Sequence, residues 1–75
     1  MEIKINTVGK IIKGEYLGWY VKVQNYDDGD DYLILQSTDK DFNPKKGEGY
    51  DHWVKNEEYL YYYFEGSEWV IDWLD

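Results

Sequence analysis

Seventy-five residues make a single domain, near the lower limit for a chain that folds on one core without staples. The chain has no cysteine, no arginine and a net charge of −8 from sixteen acidic residues against eight lysines, which removes disulfides and thiolate metal sites from consideration. The same charge argues against direct nucleic-acid binding and against anionic membrane surfaces, both of which call for a basic patch.

A fifth of the residues are aromatic, nine Tyr, four Trp and two Phe, and that argues for a packed core rather than disorder. No run approaches the eighteen apolar residues of a membrane span. The start MEIKINTVGKII lacks the apolar region and cleavage site of a signal peptide, so the expected location is the cytoplasm. A charge of −8 would draw in a cationic partner and raise its association rate, although it also serves plain solubility.

In chain order, Ile3 and Ile5 alternate with polar residues as in a strand, and the parity shifts around Thr7-Val8-Gly9. That pattern predicts one bent strand or a short hairpin over residues 1–13, with Gly9 at a bulge or tight turn. From Gly18 to Tyr26, Trp19, Val21 and Val23 share one face of a second strand. Asp31 to Thr38 is the next, with Leu33 and Leu35 on one face and Tyr32, Ile34 and Gln36 on the other. The acidic, glycine-containing stretch between them predicts a hairpin turn, and pairing Val23 with Leu35 would keep the apolar sets together.

DKDFNPKKGEG, residues 39 to 49, is a polar loop holding the only proline, and Tyr50 to Val54 reads as a short strand. Asn56 then caps a helix whose first turn carries Glu57 and Glu58. The helix is expected to run to about Glu65, to end on Gly66 at the C′ position, and to turn Leu60, Tyr63 and Phe64 inward. Glu68 to Leu74 closes the chain as a strand with Trp69, Ile71 and Trp73 on one face. The expected fold is α+β: a mostly antiparallel sheet of four to five strands carrying one short helix on one face, in the order β-β-β-β-α-β.

The residues offer little for catalysis, and the expectation is a non-enzyme with no cofactor. The single histidine, His52, lies in a strand with Asp51 pointing to the opposite face, and is expected to be a partly buried structural residue. Neither Ser37 nor Ser67 sits in a nucleophile elbow. An EF-hand-type calcium loop with Gly29 at its sixth position would need oxygen ligands where Gln24, Tyr26 and Leu35 stand, so no metal site is expected. No phosphate loop, dinucleotide fingerprint or zinc spacing occurs.

Binding is the stronger reading. Acidic residues concentrate in the 27–31 turn and the 39–51 loop, interleaved with tyrosines and a phenylalanine of the kind enriched in interface hot spots. The expected partner surface comprises Tyr26, Asp27, Asp28, Asp30, Asp31 and Tyr32, with Asp39, Asp41, Phe42 and Glu48 of the loop beside them and Tyr61 and Tyr62 of the helix. Carboxylates around aromatic anchors suit lysine- and arginine-rich surfaces through ion pairs and cation–π contacts. The plainer alternative is that the tyrosines only cover the open side of a small sheet.

Residues 50 to 74, YDHWVKNEEYLYYYFEGSEWVIDWL, resemble the end of small bacterial immunity proteins, in which a Trp-containing strand leads through an Asn-Glu-Glu cap into an aromatic helix and a final Trp-x-Ile-x-Trp-Leu strand. The hairpin GWYVKV…DDGDDYLIL is compatible with the same pattern. Such proteins belong to polymorphic toxin and contact-dependent inhibition systems, and each neutralises one toxin domain, commonly a nuclease. The resemblance therefore implies a cytoplasmic inhibitor that plugs the cationic cleft of a cognate toxin. It transfers no inhibitory residue. A DNA mimic encoded by a phage or mobile element, and a structural homo-oligomer such as a homodimer pairing exposed strand edges, are the alternatives.

Overall fold

A computed structural model describes residues 2–27 and 29–74. Asp28 of the expected site, and the first and last residues, lie outside them. Among the described residues the chain forms β1 (Val8–Lys13), β2 (Tyr20–Asn25), β3 (Tyr32–Ser37), β4 (Gly49–Val54), α1 (Glu57–Ser67) and β5 (Val70–Leu74). The strands make one antiparallel sheet in the order β4-β3-β2-β1-β5, and α1 leads from one edge strand to the other. This is the α+β architecture and element order that the sequence predicts.

The core lies between the sheet and α1. Ile11, Val21, Val23, Ile34 and Val54 from four strands meet Leu60 and Phe64 of the helix and Trp69 just after it. The spacing of Leu60 and Phe64, one helical turn apart, puts both on the face that packs down, and each is 1% exposed. Asn56 caps the helix as expected, its Oδ1 accepting from the Tyr59 N–H at 3.0 Å. An eleven-residue helix is too short to persist alone, so packing and this cap hold it.

The register of β3 differs from the expectation. Val23 pairs with Ile34 and Lys22 with Leu35, so Ile34 and Gln36 face the helix while Leu33 and Leu35 lie on the other face of the sheet. Two causes combine. The hairpin closes by the Tyr26 N–H donating to Asp31 O, with Gly29 N–H bonded back to Tyr26 O, and that fixes the strands one residue away from the apolar match. The inward Gln36, only 6% exposed, is then accommodated by the Tyr63 hydroxyl, which donates to its Oε1 at 3.0 Å.

The N-terminal kink is also displaced. Gly9 sits inside β1 rather than at a bulge, and the backbone bends at Asn6, whose φ is +60°. The described residues before β1 form neither of the two expected arrangements: Ile5 makes a single parallel bridge to Val23. Gly9 is needed for close approach instead. A Cβ there would stand 2.5 Å from Ile71 Cγ2 and 2.8 Å from Trp73 Cε3. The irregularity of β1 falls later, where pairing with β5 shifts between Ile11 and Lys13.

The helix runs two residues beyond the expected end. Gly66 lies within it, and Glu68 takes the left-handed position with φ +57°. The Ser67 hydroxyl donates to Phe64 O at 2.7 Å and accepts from the Trp69 N–H, closing the last turn and feeding Trp69 into the core.

Candidate partner-binding surface

Antiparallel hairpins place successive connections at alternate ends of a sheet, and this separates the expected site. The turn carrying Tyr26, Asp27, Asp30 and Asp31 lies at the end where β3 begins, and the loop carrying Asp39, Asp41, Phe42 and Glu48 lies where β3 ends. At roughly 3.4 Å per residue the length of β3 puts them about 17 Å apart, so the loop does not lie beside the turn.

At the turn end, Tyr26, Asp27 and Asp30 are exposed and Asp27 adopts φ +52°. Asp31 does more than close the hairpin: its Oδ2 accepts from Trp53 Nε1 at 2.6 Å, tying the acidic turn to β4. Tyr32 is half-buried and meets Tyr61 around a small cleft shared with Ile3, Ile5 and Leu60. At the loop end, Asp39 is largely engaged in loop structure, its Oδ2 accepting from the Asn43 N–H at 2.9 Å. The backbone of Glu48 pairs with Thr38, and Phe42 lies beside Leu35, Pro44 and Asp51 in a cleft of about 440 Å³. Asp41 is exposed.

Tyr62 belongs to a third place. A groove of about 510 Å³ runs between β4 and α1, lined by His52, Trp53, Val54, Lys55, Tyr59, Tyr62 and Tyr63. Trp53 is 53% and Tyr62 58% exposed, which is high for rings of this size in so small a domain. Lys55 holds its ammonium 4.5 Å from the centre of the Tyr59 ring. His52 is exposed rather than partly buried and stacks on Tyr63 with ring centres 4.6 Å apart. It belongs to the groove wall, not to the core.

Tyr63 connects the groove to the interior. Burial raises its phenol above the ordinary 10.0, and the neighbouring Tyr16 adds to the shift, so the ring is a neutral hydrogen-bond donor to Gln36 across the physiological range. Beyond it, Trp19 and Tyr50 stack in parallel at 5.7 Å with Tyr16 edge-on to both, which carries the aromatic surface on to the other end of β4. Tyr16 does this with φ +64°, an unusual backbone region for a bulky residue.

Of the expected residues, the structure therefore brings Tyr62 to the groove, while Asp31 meets the Trp53 side chain on the other face of the same edge strand. It adds His52, Trp53, Lys55, Tyr59 and Tyr63, which the sequence presents only as strand and helix residues. Their shared location follows from β4 being an edge strand beside α1, a fact of strand order that local periodicity does not carry.

Among the described residues no group of three or more His, Asp or Glu side chains is placed to hold a metal ion. No helix among them is long and apolar enough to cross a membrane. No family model matches the chain, and neither a curated protein nor a solved structure is significantly similar to it.

Proposed function

We propose that this chain is a binding protein that neutralises a cognate toxin domain with a basic, nuclease-type surface, acting in the cytoplasm and without catalysis of its own. The observation that carries the reading is the aromatic groove between β4 and α1, with the acidic turn tied to the other face of β4 through the Trp53–Asp31 hydrogen bond. Exposed tyrosine and tryptophan supply anchoring area at low entropic cost, and a chain of net charge −8 steers a cationic domain toward them while repelling the nucleic acid that domain would cut.

On this reading the turn end and the groove form the contact, and the 39–48 loop lies outside it. The resemblance of residues 50 to 74 to immunity proteins falls on the two elements that build the groove, β4 and α1. The test is co-expression in a laboratory bacterial host with a basic toxin domain recovered with this chain by pull-down from its native strain. Growth arrest by that domain alone, relieved by this chain, is the expected outcome. Arrest that persists at equal expression would reject the reading.

A further inference from the structure

The main-chain pattern of β4 says how a partner would be held. Thr38 N–H donates to Glu48 O, so residues 38 and 48 form a bonded pair just beyond the β3·β4 ladder. Bonded and non-bonded pairs alternate in antiparallel sheets. The bonded pairs are therefore Gln36 with Tyr50, Ile34 with His52 and Tyr32 with Val54. The β2·β3 hairpin agrees: Tyr26 N–H bonds to Asp31 O, which turns Asp31, Leu33 and Leu35 toward β2 and leaves Tyr32, Ile34 and Gln36 for β4. It follows that the N–H and C=O groups of Gly49, Asp51 and Trp53 point away from β3. Among the described residues no strand pairs with that side.

Sheet edges are usually blunted by lysine, proline, a bulge or a covering segment. Gly49–Val54 has no lysine or proline and keeps an unbroken register with β3, whereas the pairing of the other edge strand, β5, is broken by the shift at Ile11 and Lys13. The groove lies alongside β4 on its helix side, where alternate side chains of an added strand would enter among Tyr59, Tyr62 and Tyr63. On the opposite face stand Asp51 and Trp53, the latter bonded to the Asp31 carboxylate. A second copy is a poor occupant: it also carries −8, and in the centred antiparallel register it sets Asp51 against Asp51.

We propose that β4 accepts an extended segment of a cationic partner as a sixth strand, with lysine or arginine on the Asp51 side and apolar or aromatic residues in the groove. This rests on the reading that the partner is basic, and it adds the geometry of capture.

The probe is the capped heptapeptide Lys-Val-Lys-Tyr-Lys-Val-Lys, titrated into the protein while backbone amides are followed by NMR. The expected result is shifts and slowed hydrogen exchange at Gly49, Asp51 and Trp53, with β5 unchanged. Asp51→Pro removes one outward donor and leaves the inner ladder intact, so affinity should fall about three- to tenfold, more than for Asp51→Asn. A peptide N-methylated at alternate residues checks the same point on the unmodified protein and should not bind.

Shifts confined elsewhere, equal binding of the N-methylated peptide, or no binding at millimolar concentration would overturn the proposal. Equal binding of the peptide with glutamate in place of lysine would overturn its cationic half. A basic toxin domain held as tightly by Asp51→Pro as by the wild type would sink strand addition and leave the neutralising role standing. Peptide capture at β4 with no capture of any basic domain would do the reverse.

Discussion

The Tyr63–Gln36 pair offers the sharpest test of how this fold tolerates a polar residue in its core. Tyr63 donates to Gln36 Oε1 at 3.0 Å, while Gln36 Nε2 is buried with no partner among the described residues. Tyr63→Phe strips the amide of its bond among the described residues and leaves both its polar ends unpaired there, at a cost of about 1–3 kcal/mol. That is a large share of the roughly 4–11 kcal/mol expected of a domain this size. Gln36→Met removes the orphaned nitrogen but strands the half-buried hydroxyl, so its net effect should be smaller. The double variant replaces both partners with apolar groups of similar shape and should recover to within about 1 kcal/mol of the wild type. Urea unfolding of the four proteins, with a common m-value, reads the coupling directly. Additive single effects, within about 0.3–0.5 kcal/mol, would show that Gln36 is not held by Tyr63 and would refute the explanation given for the β3 register.

Three further outcomes follow from the same structure. Gly9→Ala forces a methyl to within 2.5 Å of Ile71 Cγ2 and 2.8 Å of Trp73 Cε3; after the small gain from a stiffer unfolded chain, it should destabilise by about 1–2 kcal/mol, measured as a lower urea midpoint. Asn56→Ala removes the acceptor for the Tyr59 N–H and should cost about 1 kcal/mol, with faster amide exchange in the first turn of α1. Alkaline pH should destabilise the fold through Tyr63. Its folded value lies above 10.0 because burial and Tyr16 both favour the neutral phenol, so the unfolded chain gives up that proton first. The contribution is whole below pH 10 and is lost as the pH rises toward the folded value, and Tyr63→Phe should flatten that slope.

Much of the fold can be read from local pattern. The Asn56 cap and the Leu60 and Phe64 spacing each depend on neighbours in sequence and appear as expected, whereas the last strand starts at Val70 rather than Glu68, leaving Trp69 buried just before it. The β3 register does not follow local pattern either, because Leu33 and Leu35 outweigh Ile34 and Gln36 in any local count of hydrophobicity. What favours the observed register is a turn closure and a hydroxyl 27 residues away. Gly9 misleads similarly, since its role is set by Trp73 and Ile71 on a strand 60 residues later.

The surface divides on the same principle. The acidic turn is evident from composition, but its separation from the 39–48 loop follows only once the two hairpins are placed end to end. The groove needs one fact more, that β4 is an edge and α1 lies beside it. His52 shows the consequence. Its spacing in YDHWV is that of an inward-facing residue, yet it is exposed, because no strand among the described residues covers the outer side of β4 and the residue stacks on Tyr63 at the groove wall.

If an acidic, aromatic surface captures a cationic domain, the rate of capture carries the signature of charge. Stopped-flow association with a basic toxin domain recovered with this chain by pull-down, followed by tryptophan fluorescence from low to high ionic strength, should give a rate that falls steeply with salt, and a weaker dependence when Asp27, Asp30 and Asp31 are changed to asparagine. A rate indifferent to salt, or no association at all, would rule out electrostatic capture of a basic domain.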